Sequence, residues 1–273
     1  KTLIAIGGRA ETGGYFADNG ERIASGGFYT MTTNSDNTIN HAAINAFADS
    51  VVDFLRQYGF DGASIDYEIP STVQDAGNPL DFKFSNALAT GMSASYDVLM
   101  KTLREKLDVA GAEDGTHYML TIASTGESFL LRGMEAMQSA KYLDYVNIMS
   151  YDMHGAWNQF VGPHAPLFDN GQDSELHHWD AYQDVFGQIG ILNTDWAYHY
   201  FRGSMPAGRI NIGVPYYSRG WKDVQGGNNG LWGEASFGDQ SNCPDGTGTR
   251  AACGNGATGI DNLWHHLDAN GNE

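Results

Sequence analysis

Residues 58–70, Tyr-Gly-Phe-Asp-Gly-Ala-Ser-Ile-Asp-Tyr-Glu-Ile-Pro, set two carboxylates two positions apart in an otherwise apolar run. Read as a strand, a period of two puts Ser64, Asp66 and Glu68 on one face and Ala63, Ile65 and Tyr67 on the other. Two carboxyl groups a few ångströms apart do not both ionise readily, so one holds its proton to higher pH. A general acid that works near neutrality needs that property. A solvated strand edge would carry the same acids to no purpose, but Phe60, Ile65 and Ile69 mark this segment as buried.

Such a strand needs a sheet around it, and the rest of the chain supplies one. Thr2–Gly8 reads as a buried strand that ends in a glycine pair, where the backbone passes close to something. A polar, glycine-rich loop runs from there to about Asn40. His41–Tyr58 places Ile44, Phe47, Ala48, Val51, Val52 and Leu55 at helical spacing, with Asn40 as its N-cap. After the carboxylate strand comes a polar excursion over 71–92, then an amphipathic helix over Ser95–Val109. Tyr118–Ala123 predicts a third strand, Phe129–Ala140 a short helix and Leu143–Tyr151 a fourth strand, followed by a long loop to about Asp180. A helix near Ile191–Phe201 leads to a fifth strand over Arg209–Tyr217.

Strand and helix alternating at this spacing imply a parallel α/β sheet. Long loops after several strands, and no phosphate-binding glycine fingerprint, favour a (β/α)8 TIM barrel over a doubly wound sheet. Only five strand–helix units are visible, so the barrel is expected to be incomplete as written and to extend beyond both ends. Residues 1–221 read as the catalytic barrel portion and 222–273 as a partial insertion, rich in Gly and Asn.

The totals narrow the partners. A hydrophobic content of 41% supports a substantial core, and a net charge of −18 argues against nucleic acid or an anionic membrane. No apolar run approaches the roughly 18–20 residues that span a bilayer. Cys243 and Cys253 either close a small disulfide in an oxidising compartment or remain two thiols; secretion is the favoured reading. Lys1 opens directly on an apolar strand without an initiator Met, which suggests a trimmed leader.

Asp61-Gly62-Ala63-Ser64-Ile65-Asp66-Tyr67-Glu68 resembles the D-G-x-D-x-D-x-E signature of family 18 glycoside hydrolases, the retaining chitinases. Met149-Ser150-Tyr151-Asp152 is similar to that family's M-T-Y-D strand end, and Ala5-Ile6-Gly7-Gly8 to its S-x-G-G strand. Val214-Pro215-Tyr216-Tyr217-Ser218-Arg219 resembles V-P-F-Y-G-R. The four motifs occur in the family's order. On this alignment the chain corresponds to the third to seventh barrel strands, with a small inserted region after the seventh. Two positions depart together: Ser64 stands for the middle Asp of the signature and Ala5 for the Ser that commonly bonds it. Losing both removes a buried charge and its partner at once. Arg9 replaces an aromatic that often lines the cleft.

The resemblance implies hydrolysis of β-1,4 bonds in chitin, assisted by the substrate's own N-acetyl group. Glu68 would be general acid and base, Asp66 would hold the acetamide N–H and balance the oxazolinium, and Tyr151 would donate to the acetamide oxygen. Asp152, Met149, Trp157, Tyr217, Arg219 and Trp221 would contact sugar, with Tyr67 a weaker candidate because it faces away from the acids. Asp61, Ser64, Ala5, Gly7 and Gly8 would support the strand ends. No cofactor or metal is implied. The pairs His177-His178 and His265-His266 lack converging helical spacing, and the ladder from Asp268 to Glu273 misplaces the glycine of a calcium loop. An endo-β-N-acetylglucosaminidase and a chitin-binding lectin are the alternatives; retention of Glu68 argues against the lectin. Oligomeric state is not legible.

Overall fold

The computed structural model describes residues 1–23, 25–155, 157–183, 187–221 and 224–235. Cys243, Cys253, Trp264, the pair His265-His266 and the 268–273 ladder therefore lie outside the described residues, as does most of the expected insertion at 222–273.

Among the described residues five strands form one sheet: β1 (Leu3–Gly7), β4 (Gly62–Asp66), β5 (Met119–Thr125), β6 (Tyr145–Met149) and β7 (Ile210–Ile212), neighbours in that order. β1 pairs β4, β4 pairs β5 and β6 pairs β7 in parallel. Strand order follows chain order with no reversal, which is the winding of a barrel and not of a doubly wound sheet with its switch point. β2 (Tyr15–Phe16) and β3 (Arg22–Ile23) make a small antiparallel ribbon in the loop after β1.

The helix α2 (His41–Tyr58) begins where its cap is written: the Asn40 side chain accepts from the Ala43 N–H. It stops at Gly59, whose φ of 73° is left-handed and cheap only without a Cβ. Its stripe of Ile44, Ala48, Val51 and Leu55 is buried, as are Leu99, Leu103 and Leu107 of α3 (Phe82–Asp114). Ala63 and Ile65 of β4 are fully buried, and α2 packs on both β4 and α3. That layer holds the carboxylate strand from behind.

Several sequence boundaries move. The excursion expected over 71–92 is shorter, because α3 starts at Phe82, well before Ser95. Its first turns bury Leu88, Ala89 and Met92, but Gly91 and several Ser residues blur the periodic signal there. The loop to Asn40 contains the β2–β3 ribbon and α1 (Phe28–Thr32), and the loop to Asp180 contains α5 (Ser174–His178). The expected helix over Phe129–Ala140 divides into α4 (Ser128–Met134) and a 3-10 stretch. Further along, α6 spans Thr194–Arg202, and β7 ends at Ile212 instead of Tyr217.

The chain divides into two compact units. The first joins Lys1–Ile148 to Tyr198–Ile212; the second joins Met149–Ala197 to Gly213–Glu273. Among the described residues no helix is long and apolar enough to cross a membrane.

Candidate active site

In the first unit, Asp66 is the last residue of β4 and Glu68 lies two positions beyond, at the C-terminal edge of the parallel sheet. Open α/β folds and barrels alike place their chemistry at that edge. Burial alternates as the period of two requires: Ala63, Ile65, Tyr67 and Ile69 are buried while Ser64, Asp66 and Glu68 are half-buried. Ser64 is the register partner of Ala5, so the two substituted family positions are neighbours across the strand pair. Ser64 also helps line an open cavity of about 270 Å³ with Leu3, Met119, Thr121, Tyr145, Asn147 and Asn211. Asp61 sits at the other end of β4, where its carboxylate accepts from the Thr2 N–H at 2.6 Å and ties the two strands at their roots.

The backbone of Glu68 is clamped from both sides. Its N–H donates to Thr12 Oγ1 at 3.0 Å, and that hydroxyl donates to the Gly8 carbonyl at 2.9 Å. The Tyr29 hydroxyl donates to the Glu68 carbonyl and accepts the Ile69 N–H, both at 3.1 Å. Thr12 and Tyr29 are fully buried, so these contacts are sheltered from water. The Gly7-Gly8 pair has its reason here. Gly8 N–H reaches the Asp66 carbonyl at 2.7 Å, and a Cβ on Gly7, at φ 108°, would strike that carbonyl and the Phe28 ring. Thr12 and Tyr29 were not legible as site residues; the only sequence signal was their place in the glycine-rich loop after the pair.

The electrostatics separate the two acids. Burial, then the charge of Asp66, raises the Glu68 carboxyl to about 7, against a downward pull from the Arg9 charge and backbone N–H. Asp66 is also raised, chiefly by burial, with its hydrogen bond to Glu68 acting downward. Asp66 Oδ1 is a buried acceptor with no hydrogen-bond partner among the described residues. Tyr67 corrects an expectation: it is 2% exposed and stacked on Phe28 at 4.8 Å, so it packs the core behind the acids instead of meeting a ligand.

The second unit gathers a different cluster. Arg219 Nε donates to Asp152 Oδ1 at 2.9 Å, and its guanidinium lies 5.4 Å from the Trp157 ring and 5.3 Å from the Tyr217 ring. Tyr151 meets Tyr217 edge to face at 6.0 Å. Burial first, then the Asp152 charge and hydrogen bond, push the Tyr217 phenol upward. His164, missed in the sequence, stands 3.6 Å from Asp152 and 5.2 Å from the Tyr217 ring. Met149 ends β6, and Trp221 packs against Ala235 with its N–H on the Asn158 carbonyl. Asp152 adopts φ 59°, the left-handed region where Asp is among the tolerated residues. Among the described residues no group of three or more His, Cys, Asp or Glu side chains converges as a metal site.

The profile described as "Glycosyl hydrolases family 18" matches residues 1–268. The chain belongs to family 18 of the glycosyl hydrolases. It is 60% identical to a solved family 18 chitinase from Chromobacterium violaceum, with a TM-score of 0.88 over 100% of this chain and 40% of that one. Chitinase A1 of Niallia circulans is 34% identical over 77% of this chain and 28% of its own length. Chitinase B of Serratia marcescens is 30% identical over 71% and 39%. The chain thus spans less than half the length of these relatives, and the barrel architecture expected from the strand–helix alternation is the family 18 fold.

Proposed function

We propose that the protein cleaves β-1,4 bonds between N-acetylglucosamine units of chitin, with Glu68 as general acid and base. The observation that carries this is the Asp66–Glu68 pair at the strand's C-terminal edge, one member of which stays protonated to about 7. Glu68 gives its proton to the glycosidic oxygen as the bond breaks, then takes one from the incoming water. The substrate's acetamide oxygen attacks the anomeric carbon in the first step, giving an oxazolinium with net retention after hydrolysis. Asp66 accepts the acetamide N–H and offsets the positive charge that develops.

From the family's motifs, Tyr151 donates its hydroxyl to the acetamide oxygen. Asp152, Met149, Trp157, Tyr217, Arg219 and Trp221 contact sugar, with the Arg219–Asp152 ion pair fixing both polar heads. Names such as "Chitinase B" for relatives support chitin over glycoprotein glycans as substrate. An insoluble polymer of this kind is met outside the cell, which agrees with a secreted protein.

Release of reducing ends from colloidal chitin tests the proposal. Glu68→Gln is expected to lower that rate at least about 100-fold while binding to chitin persists. Binding without turnover in the unmutated protein would leave a lectin instead.

A further inference from the structure

We propose that Phe16 is an additional sugar-stacking platform, its open ring face receiving the apolar face of an N-acetylglucosamine unit a few residues along the chain from the bond Glu68 acts on. The assignment rests on the chitin-cleaving function proposed above and adds a subsite to it.

Phe16 belongs to the two-residue ribbon in the loop after β1 and stands opposite Arg22 across it. Partners directly opposite in an antiparallel pair share a face, so Phe16 and Arg22 project the same way and Tyr15 and Ile23 the other. Arg22 fixes which way that is. Its Nη2 reaches both carboxylate oxygens of Asp81 at 2.8 Å, and its Nη1 donates to the Ala10 carbonyl. Asp81 is fully buried, so the guanidinium is anchored inward. The Phe16 ring lies over it at 5.1 Å and is nevertheless 49% exposed. One ring face is thus braced by a fixed cation, and the ring keeps an outer surface in water.

That arrangement differs from a stray surface phenylalanine in two respects. The first is rigidity: the ribbon is closed by Ala17 N–H to Glu21 O at 2.9 Å and Gly20 N–H to Ala17 O at 2.8 Å. Little backbone freedom in the ribbon remains to be lost on binding. The second is position. Ala10, which Arg22 holds, follows Arg9, whose backbone N–H meets the Glu68 carboxyl. Thr12, four residues before Phe16, carries the Glu68 N–H. The braced ring therefore stands on the same loop whose root clamps the Glu68 backbone. A pyranose offers C–H bonds to such a ring, and a neutral sugar is indifferent to the acidic charge of the chain.

Kinetics on substrates of two lengths test this in the whole protein. Phe16→Ala is expected to lower kcat/KM on chitohexaose and on colloidal chitin about five- to tenfold, through KM. Activity on a short 4-nitrophenyl chitobioside should stay within about twofold, and Phe16→Trp should retain activity on both. Tyr15→Ala, an equally exposed ring on the opposite ribbon face, serves as the control and should match the unmutated protein. Equal losses on long and short substrates would mean that the ring only holds the loop that clamps Glu68, and would overturn the subsite. No loss on either, or the same loss for Tyr15→Ala, would overturn it too. If the unmutated protein neither cleaves nor binds chitin, the parent function fails and the subsite with it.

Discussion

In the proposed mechanism Glu68 serves as an acid near neutral pH, and its surroundings suit it to that role. Thr12 and Tyr29 fix the peptide, burial denies the carboxylate its water, and Asp66 denies it a neutral neighbour. Activity that requires protonated Glu68 should therefore fall as pH rises through about 7. In the proposed mechanism the acid limb belongs to Asp66, which would be ionised to balance the oxazolinium and which burial already raises. Ser64 shares its strand face two positions back, so Ser64→Asp would add a second negative charge facing the same way. A like charge favours the protonated form, hence the acid limb of kcat/KM against pH should move to higher pH. An unmoved limb would mean that Asp66 titrates independently of its strand neighbours. The acids themselves were legible from a period of two and an apolar context. The clamp was not, because Thr12 and Tyr29 come from a loop whose path is set by glycine geometry and not by any hydrophobic period.

Among the elements, the loop after β1 does more than connect. It holds the ribbon, braces Glu68 and is pinned to the head of α3 by the Arg22–Asp81 pair, whose side chains are 11% and 0% exposed. Removing one partner of a buried pair leaves the other charge uncompensated. Asp81→Ala should accordingly lower unfolding free energy in urea by about 3–5 kcal/mol. A loss below about 1 kcal/mol would place the guanidinium in water after the change and make the pair a surface contact. This loop also marks the limit of what a single sequence yields about the fold. The helix at His41–Tyr58 was readable end to end, since the Asn40 cap and the apolar stripe agree. The ribbon and α1 were not, being held by cross-chain contacts such as Arg22 to Asp81, 59 positions apart. The early start of α3 stayed hidden for a related reason: small residues that let it pack closely, such as Gly91 against Asn37, are poor helix signals by propensity.

At the scale of the whole molecule, a net charge of −18 discriminates among substrates before any pocket does. The proposed substrate, fully acetylated chitin, is neutral, so neither attraction nor repulsion of long range acts on it, and on that proposal its affinity depends on ring stacking and short hydrogen bonds. Those contacts lie within a few ångströms and are little affected by salt, whereas forces between separated charges fade beyond a Debye length of about 10 Å at 0.1 M. Binding of Glu68→Gln to fully acetylated chitin should therefore change less than about twofold between roughly 50 mM and 500 mM NaCl. Partly deacetylated polymer carries ammonium groups that this acidic surface attracts at low salt, and its binding should weaken over the same range. A steep salt dependence on the acetylated polymer would imply that charge drives recognition, in which case the neutral acetamide is not what the Asp66–Glu68 edge is built to receive.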